Sequence, residues 1–122
     1  MISRRRAIGL TVVAVGAITM YHNVAPAKVS LTQQEADGKA VYLKSCKECH
    51  GVIGTPTKAS MRKYDKIATF ADPAFFETRT DAKLIEAVEK GKGRDMKGFA
   101  DKLSKEEIKA VVAYVHTLEK KG

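Results

Sequence analysis

The sequence predicts a small all-α domain, and three observations carry that reading. A capping box, Ser104-Lys105-Glu106-Glu107, opens an apolar stripe at helical spacing, Ile108, Val111, Val112, Val115 and Leu118. No segment offers a strand pattern. The only two cysteines of the 122-residue chain stand three apart, in Cys46-Lys47-Glu48-Cys49-His50-Gly51, a spacing suited to one turn of helix.

The chain opens Met1-Ile2-Ser3-Arg4-Arg5-Arg6 and then runs apolar from Ala7 to Tyr21, a charged region followed by a hydrophobic one. Ala25-Pro26-Ala27 supplies the small-x-small pattern of a signal-peptidase site. The apolar run is shorter than the roughly 20 residues that cross a bilayer as a helix. Residues 1–27 therefore read as a cleaved export signal, with an uncleaved membrane anchor as the alternative. The Arg4-Arg5 pair alone is weak evidence for twin-arginine export. Cleavage would leave one domain, residues 28–122, and take the formal charge from +8 to +5, because three arginines and no acids depart.

Lys28 to Leu31 read as a lead. Thr32-Gln33-Gln34-Glu35 has capping-box spacing, with a helix expected to about Ser45. Gly38 interrupts that helix, at about 1 kcal/mol against alanine. One physical reason to keep it is close approach of another helix. Gly38, Val41, Tyr42 and Ser45 share one helical face. Residues 51–71 show neither period, with turn residues at Gly51, Gly54 and Pro56. So long a loop is unusual unless it packs on something, and Tyr64, Ile67 and Phe70 are its candidate lining.

Asp72-Pro73 reads as N-cap and first residue of a short helix carrying Phe75 and Phe76. Thr80 or Asp81 caps the next, through Leu84, Ile85 and Val88, and Gly91 stands where it should stop. Gly91 to Phe99 is a glycine-rich loop with one methionine, Met96. The last helix closes the chain, with Lys120 and Lys121 at its cation-favouring end. Lysine and glutamate are interleaved nearly throughout, with no basic helix face or aromatic-spaced patch. That argues against nucleic acid as a partner.

The chemistry lies in Cys46-x-x-Cys49-His50. Two thiols on one turn can reach the two vinyl groups on one edge of a porphyrin and form two thioethers. The next residue then sits over the iron, and His50 can offer its imidazole. A redox disulfide usually follows a strand in a βαβ unit, and no strand pattern precedes Cys46. A zinc site needs a fourth ligand, which would have to come from distant His116 or an acid. Covalent haem is the reading the motif favours.

With these pieces in place, residues 35–118 resemble the class I, monohaem cytochrome c family. The resemblance rests on Cys46-x-x-Cys49-His50-Gly51, on Gly38 with Tyr42, on Met96 with Phe99, and on Leu103-Ser104 leading to Ala113-Tyr114-Val115. It implies a fold in which the first and last helices cross, with the glycine letting them touch and Tyr42 meeting Tyr114. It implies one covalent haem c, attached through Cys46 and Cys49, with His50 and Met96 as the two iron ligands. Met61 is the rival for the sixth position. The family usually has proline after this methionine, where Lys97 stands here. The family often accepts the proximal histidine's N–H on a proline carbonyl, for which Pro56 is the candidate. Arg62 and Tyr64 are candidates for the haem propionates.

The function expected is a periplasmic single-electron carrier and not an enzyme, because two axial ligands leave no coordination position for a substrate. Redox partner proteins are expected, with acidic surfaces complementary to Lys44, Lys47, Lys58, Lys92 and Lys97. A membrane would enter only through partner complexes or an uncleaved anchor. Two alternatives remain: a haem enzyme or sensor with an open sixth position, and a subunit through which electrons enter a larger redox complex.

Overall fold

The computed structural model describes residues 30–120. The export-signal and cleavage-site expectations fall on residues outside that range. Among the described residues, no helix is long and apolar enough to cross a membrane. Six helices follow one another: α1 (Leu31–Ser45), α2 (Lys47–His50), α3 (Lys58–Lys63), α4 (Ala74–Glu77), α5 (Asp81–Lys90) and α6 (Lys105–Thr117). Between α5 and α6 lies a two-stranded antiparallel ladder, β1 (Gly91–Lys92) with β2 (Met96–Lys97), pairing Gly91 with Lys97 and Lys92 with Met96.

The all-α expectation holds, with local corrections. Helix α1 starts before the Thr32 cap expected of it. Ser30 is the N-cap, and its Oγ accepts from the Gln33 N–H at 3.2 Å. Thr32 instead shares a 2.8 Å hydroxyl contact with Ser30. Ser30 and Thr32 both suit a cap, and the earlier one brings two more residues into the helix. Pro73, not Asp72, is the N-cap of α4, while the Asp72 carboxylate accepts from the Ala74 N–H at 3.0 Å. Residues 51–71 are not wholly irregular: α3 forms there, capped by Thr57, whose Oγ1 accepts from the Ser60 N–H. Six residues are too few for a 3.6-residue period to show. The β ladder is likewise too short for alternation to register, and left-handed Gly91 and Gly93, at φ 83° and 61°, turn the chain there. The remaining caps are as expected, Thr80 on α5 and the full Ser104–Glu107 box on α6.

The core is the contact between α1 and α6. Gly38 lies against the Ala110 carbonyl, and a methyl there would overlap that oxygen and stand 2.9 Å from the Tyr114 Cβ. This close approach is the reason for a mid-helix glycine. One turn on, the Tyr42 and Tyr114 rings pack at 5.4 Å. Tyr42, Ile108 and Val111 are essentially inaccessible to solvent. The apolar stripe of α6 is buried from Ile108 to Val115, as its spacing predicts.

Gly38→Ala should therefore destabilise the protein by about 1–3 kcal/mol, the usual range for overpacking, although alanine is the better helix former. Chemical denaturation of the haem-loaded protein measures it. A stabilised variant would show that the helices do not meet at Gly38.

Candidate functional site

The motif occupies one turn of helix hung on the end of α1. The Cys46 N–H donates to the Tyr42 carbonyl at 2.9 Å, which continues α1 into the turn. The Cys46 carbonyl then accepts from the N–H groups of Cys49 (3.2 Å) and His50 (3.0 Å). Gly51, at φ 78°, ends α2, and its N–H donates to the Lys47 carbonyl. A side chain at Gly51 would overlap the Thr55 carbonyl. The Tyr42 hydroxyl donates to the Gly51 carbonyl at 2.6 Å, so the core tyrosine of α1 also ties down the exit from the motif.

Cys46 and Cys49 are half-buried and unbridged. Burial, and secondarily the neighbouring Cys49, push the Cys46 thiol up to about 11. His50 is held below its ordinary value by burial, partly offset by its bond to the Ala68 carbonyl. Its imidazole is therefore neutral at neutral pH. Nδ1 lies 3.2 Å from the Ala68 oxygen. A carbonyl only accepts, so Nδ1 carries the hydrogen and Nε2 keeps a lone pair for a metal. The acceptor is Ala68 and not Pro56. The turn from Gly51 to Gly54 doubles back so that the Gly54 carbonyl accepts from Phe70 (2.7 Å) and Ala71 (3.2 Å), which brings the 68–71 segment across His50. Phe70 stacks on the imidazole, with centroids 4.5 Å apart and planes 24° apart.

Two free thiols on one turn beside a neutral imidazole with one nitrogen already bonded fit a covalently attached haem. Among the described residues, no group of three or more histidine, cysteine or acidic side chains could hold a metal ion alone. Met96 lies half-buried on β2. Its loop is held at the far side by the Phe99 N–H, which donates to the Val88 carbonyl at 2.9 Å. Met61 is on α3 and about half exposed, at 49%. Tyr64 and Ile67 are half-buried and Arg62 is exposed. His116 is engaged elsewhere: its Nε2 is 2.9 Å from the Asp81 carboxylate, and its ring packs on Phe76 at 4.5 Å.

Comparison with known proteins agrees with this geometry. Residues 33–115 match the family model described as cytochrome c oxidase, cbb3-type, subunit III, a c-type cytochrome domain. The solved structure of the KustC0563 c-type cytochrome is 37% identical. The match covers 69% of this chain and 99% of that one, with a TM-score of 0.63.

The chain belongs to the class I, monohaem cytochrome c family.

Two more distant structures share the fold of this cytochrome. Cytochrome cL from Hyphomicrobium denitrificans is 22% identical at a TM-score of 0.59, over 71% of this chain and 48% of that one. The Kuenenia stuttgartiensis reducing HAO-like protein complex Kustc0457/Kustc0458 is 22% identical at a TM-score of 0.57, over 78% of this chain and 47% of that one. The search of curated proteins returned no match. Family membership means that the cytochrome carries covalently bound haem c with its iron and takes part in haem-based electron transfer with redox partner proteins.

Sequence reading missed the Ala68 carbonyl, the Phe70 stack and the Tyr42–Gly51 bond. A backbone acceptor has no residue signature. Phe70 stood out only as one of three aromatic or apolar residues in a loop. The Tyr42 bond had a faint signal, because a buried phenol must find a partner.

Tyr42→Phe should cost about 1–3 kcal/mol, because the buried Gly51 carbonyl would lose its 2.6 Å bond and keep only the 3.4 Å one from the Gly54 N–H. Burial lifts the Tyr42 phenol above its ordinary 10.0. Below pH 10 the phenol keeps its proton in folded and unfolded chains alike. Above it, only the unfolded chain ionises, and stability falls. Denaturation at pH 7 and above pH 10 should show the wild type losing more stability with rising pH than Tyr42→Phe. An equal loss would remove Tyr42 from this role.

Proposed function

We propose that the cytochrome is a single-electron carrier and not an enzyme, exported to the periplasm, with His50 and Met96 occupying both axial positions of its haem iron. The observation that carries this reading is the oriented imidazole of His50, with Nδ1 engaged by Ala68 and Nε2 left to donate. Cys46 and Cys49 are the attachment points. Met96 is favoured over Met61 because it is half-buried, on a loop anchored to α5, whereas Met61 is about half exposed on a short helix. Lys97 lacks the stiffness of the proline usual after this methionine, so Met96 depends on the β1–β2 pairing to hold its place.

When bound, haem c supplies a one-electron iron couple. The residues act on it without bond making at a substrate. A thioether ligand such as Met96 favours ferrous iron and raises the potential. The Ala68 bond increases the basicity of the His50 imidazole and fixes its tautomer. The Phe70 ring covers one face of the imidazole, and Tyr42 and Phe75 pack against Phe70 in turn.

The same reading gives the partners acidic docking surfaces. From Lys44 to Lys63 there are five basic residues against one acid, Glu48. The rest of residues 30–120 hold twelve basic residues against thirteen acids. The positive excess therefore sits around the haem attachment, where Lys44, Lys47 and Lys58 are exposed. Lys92 and Lys97 extend it along the Met96 loop. A second reading, favoured by the description of the matching family model, is a subunit through which electrons enter a larger redox complex. It shares the chemistry and differs in whether the protein leaves the membrane fraction on its own.

The near-infrared absorption of the ferric protein should show sulfur ligation. Met96→Ala should abolish that band and open the iron to carbon monoxide in the ferrous state, and Met61→Ala should do neither. The reverse pattern would reassign the ligand, and carbon monoxide binding by the wild type would support an open-site protein.

Electron transfer to an acidic redox partner should slow as ionic strength rises, and Lys47→Glu should lower the association rate several-fold at low salt. A salt-independent rate would overturn the docking surface. Recovery of the protein only with a membrane complex would support the subunit reading.

A further inference from the structure

We propose that Phe70 is a positioning residue that sets the plane of the His50 imidazole, and through it the electronic axis of the haem iron. The proposal rests on His50 being the proximal ligand. A ligand imidazole bonded through Nε2 keeps one soft freedom, rotation about the metal–nitrogen bond. That rotation decides which iron d orbital the ring's π system raises, and so where unpaired spin lies on the porphyrin.

Two contacts oppose it here, and both come from one segment. The Ala68 carbonyl holds Nδ1 at 3.2 Å. Two residues later, Phe70 lies face to face with the ring at 4.5 Å and 24°. A single hydrogen bond at that length permits the ring to swing over a range of angles. A ring against its face does not, because swinging drives imidazole atoms into it. Phe70 cannot itself yield. Phe75 meets it nearly edge-on at 5.1 Å, and Tyr42 at 6.3 Å. Its N–H is bonded to the Gly54 carbonyl at 2.7 Å, and its Cβ packs where Gly54 has no side chain. The next residue is held too, since the Ala71 carbonyl accepts from the Lys120 N–H at 3.2 Å. The imidazole is thus braced against the core formed by α1 and α6, and not merely tethered by a loop.

Paramagnetic proton NMR of the ferric, haem-loaded protein tests this, because the order and spread of the haem methyl resonances report the imidazole plane. In the wild type, the plane derived from those shifts should lie stacked on Phe70, with cross-relaxation between the two rings. Phe70→Leu and Phe70→Met keep apolar bulk without a flat face. They should retain low-spin histidine ligation but change the order or spread of the methyl resonances, with a shifted midpoint potential. Phe70→Tyr, which keeps the face, should restore the wild-type pattern. Phe76→Leu, whose ring pairs with those of Phe75 and His116 rather than with that of Phe70, should lower stability and leave the pattern alone.

A wild-type pattern in both Phe70→Leu and Phe70→Met would overturn the proposal while leaving His50 as ligand. If those variants fail to take up haem, a wild-type plane that does not stack on Phe70 overturns it equally. A wild-type spectrum without imidazole ligation would overturn the ligand assignment itself, and this proposal with it.

Discussion

The structure depends on α1 and α6 touching at Gly38. Only a hydrogen at that position lets the α1 backbone reach the Ala110 carbonyl. The approach brings Tyr42 and Tyr114 together and seals Tyr42 from water. Because the Cys46 turn is bonded directly to the Tyr42 carbonyl, the same contact fixes the motif in space. Tyr42 adds a second tie through its hydroxyl to Gly51. A residue of the core thus serves the site twice, once by packing and once by a hydrogen bond.

Around the imidazole, the cytochrome meets two demands that oppose each other. A ligand must be neutral and aimed, which favours burial, and a buried polar group must be bonded. The chain resolves this by giving one nitrogen of His50 to the Ala68 carbonyl and leaving the other with a lone pair that could serve a metal. Burial then lowers the imidazole's affinity for a proton. Among the described residues, no buried side-chain polar atom lacks a partner. Charge is distributed to match. The interior around His50 is aromatic, and the positive excess lies outside, on the segment that carries the attachment turn.

The helical turn at Cys46–His50, the last helix, the α5 stop and the reason for Gly38 were all legible in the chain. Each is a local rule: thiol spacing, a capping box, a left-handed glycine, a face defined by three- and four-residue steps. The start of α1 was legible only to within two residues, because Ser30 and Thr32 both suit a cap. Helix α3 and the β1–β2 ladder were not legible, since elements of six and two residues hold too little periodicity to stand out from loop.

What the sequence determined by itself was the fold class, the family and the haem c that the family carries, because the capping box, the apolar stripe and the Cys46–His50 spacing that signal them are each read within a few turns of chain. What only the tertiary structure decided was the surroundings of the imidazole. Ala68 and Phe70 reach His50 because the Gly51–Gly54 turn folds back a segment about 18 residues further along the chain, and Lys120 and Gly54 then pin that segment. A carbonyl is the same at every position in a sequence. Which one meets the histidine is set by where the backbone returns, and that is a property of the packed chain alone.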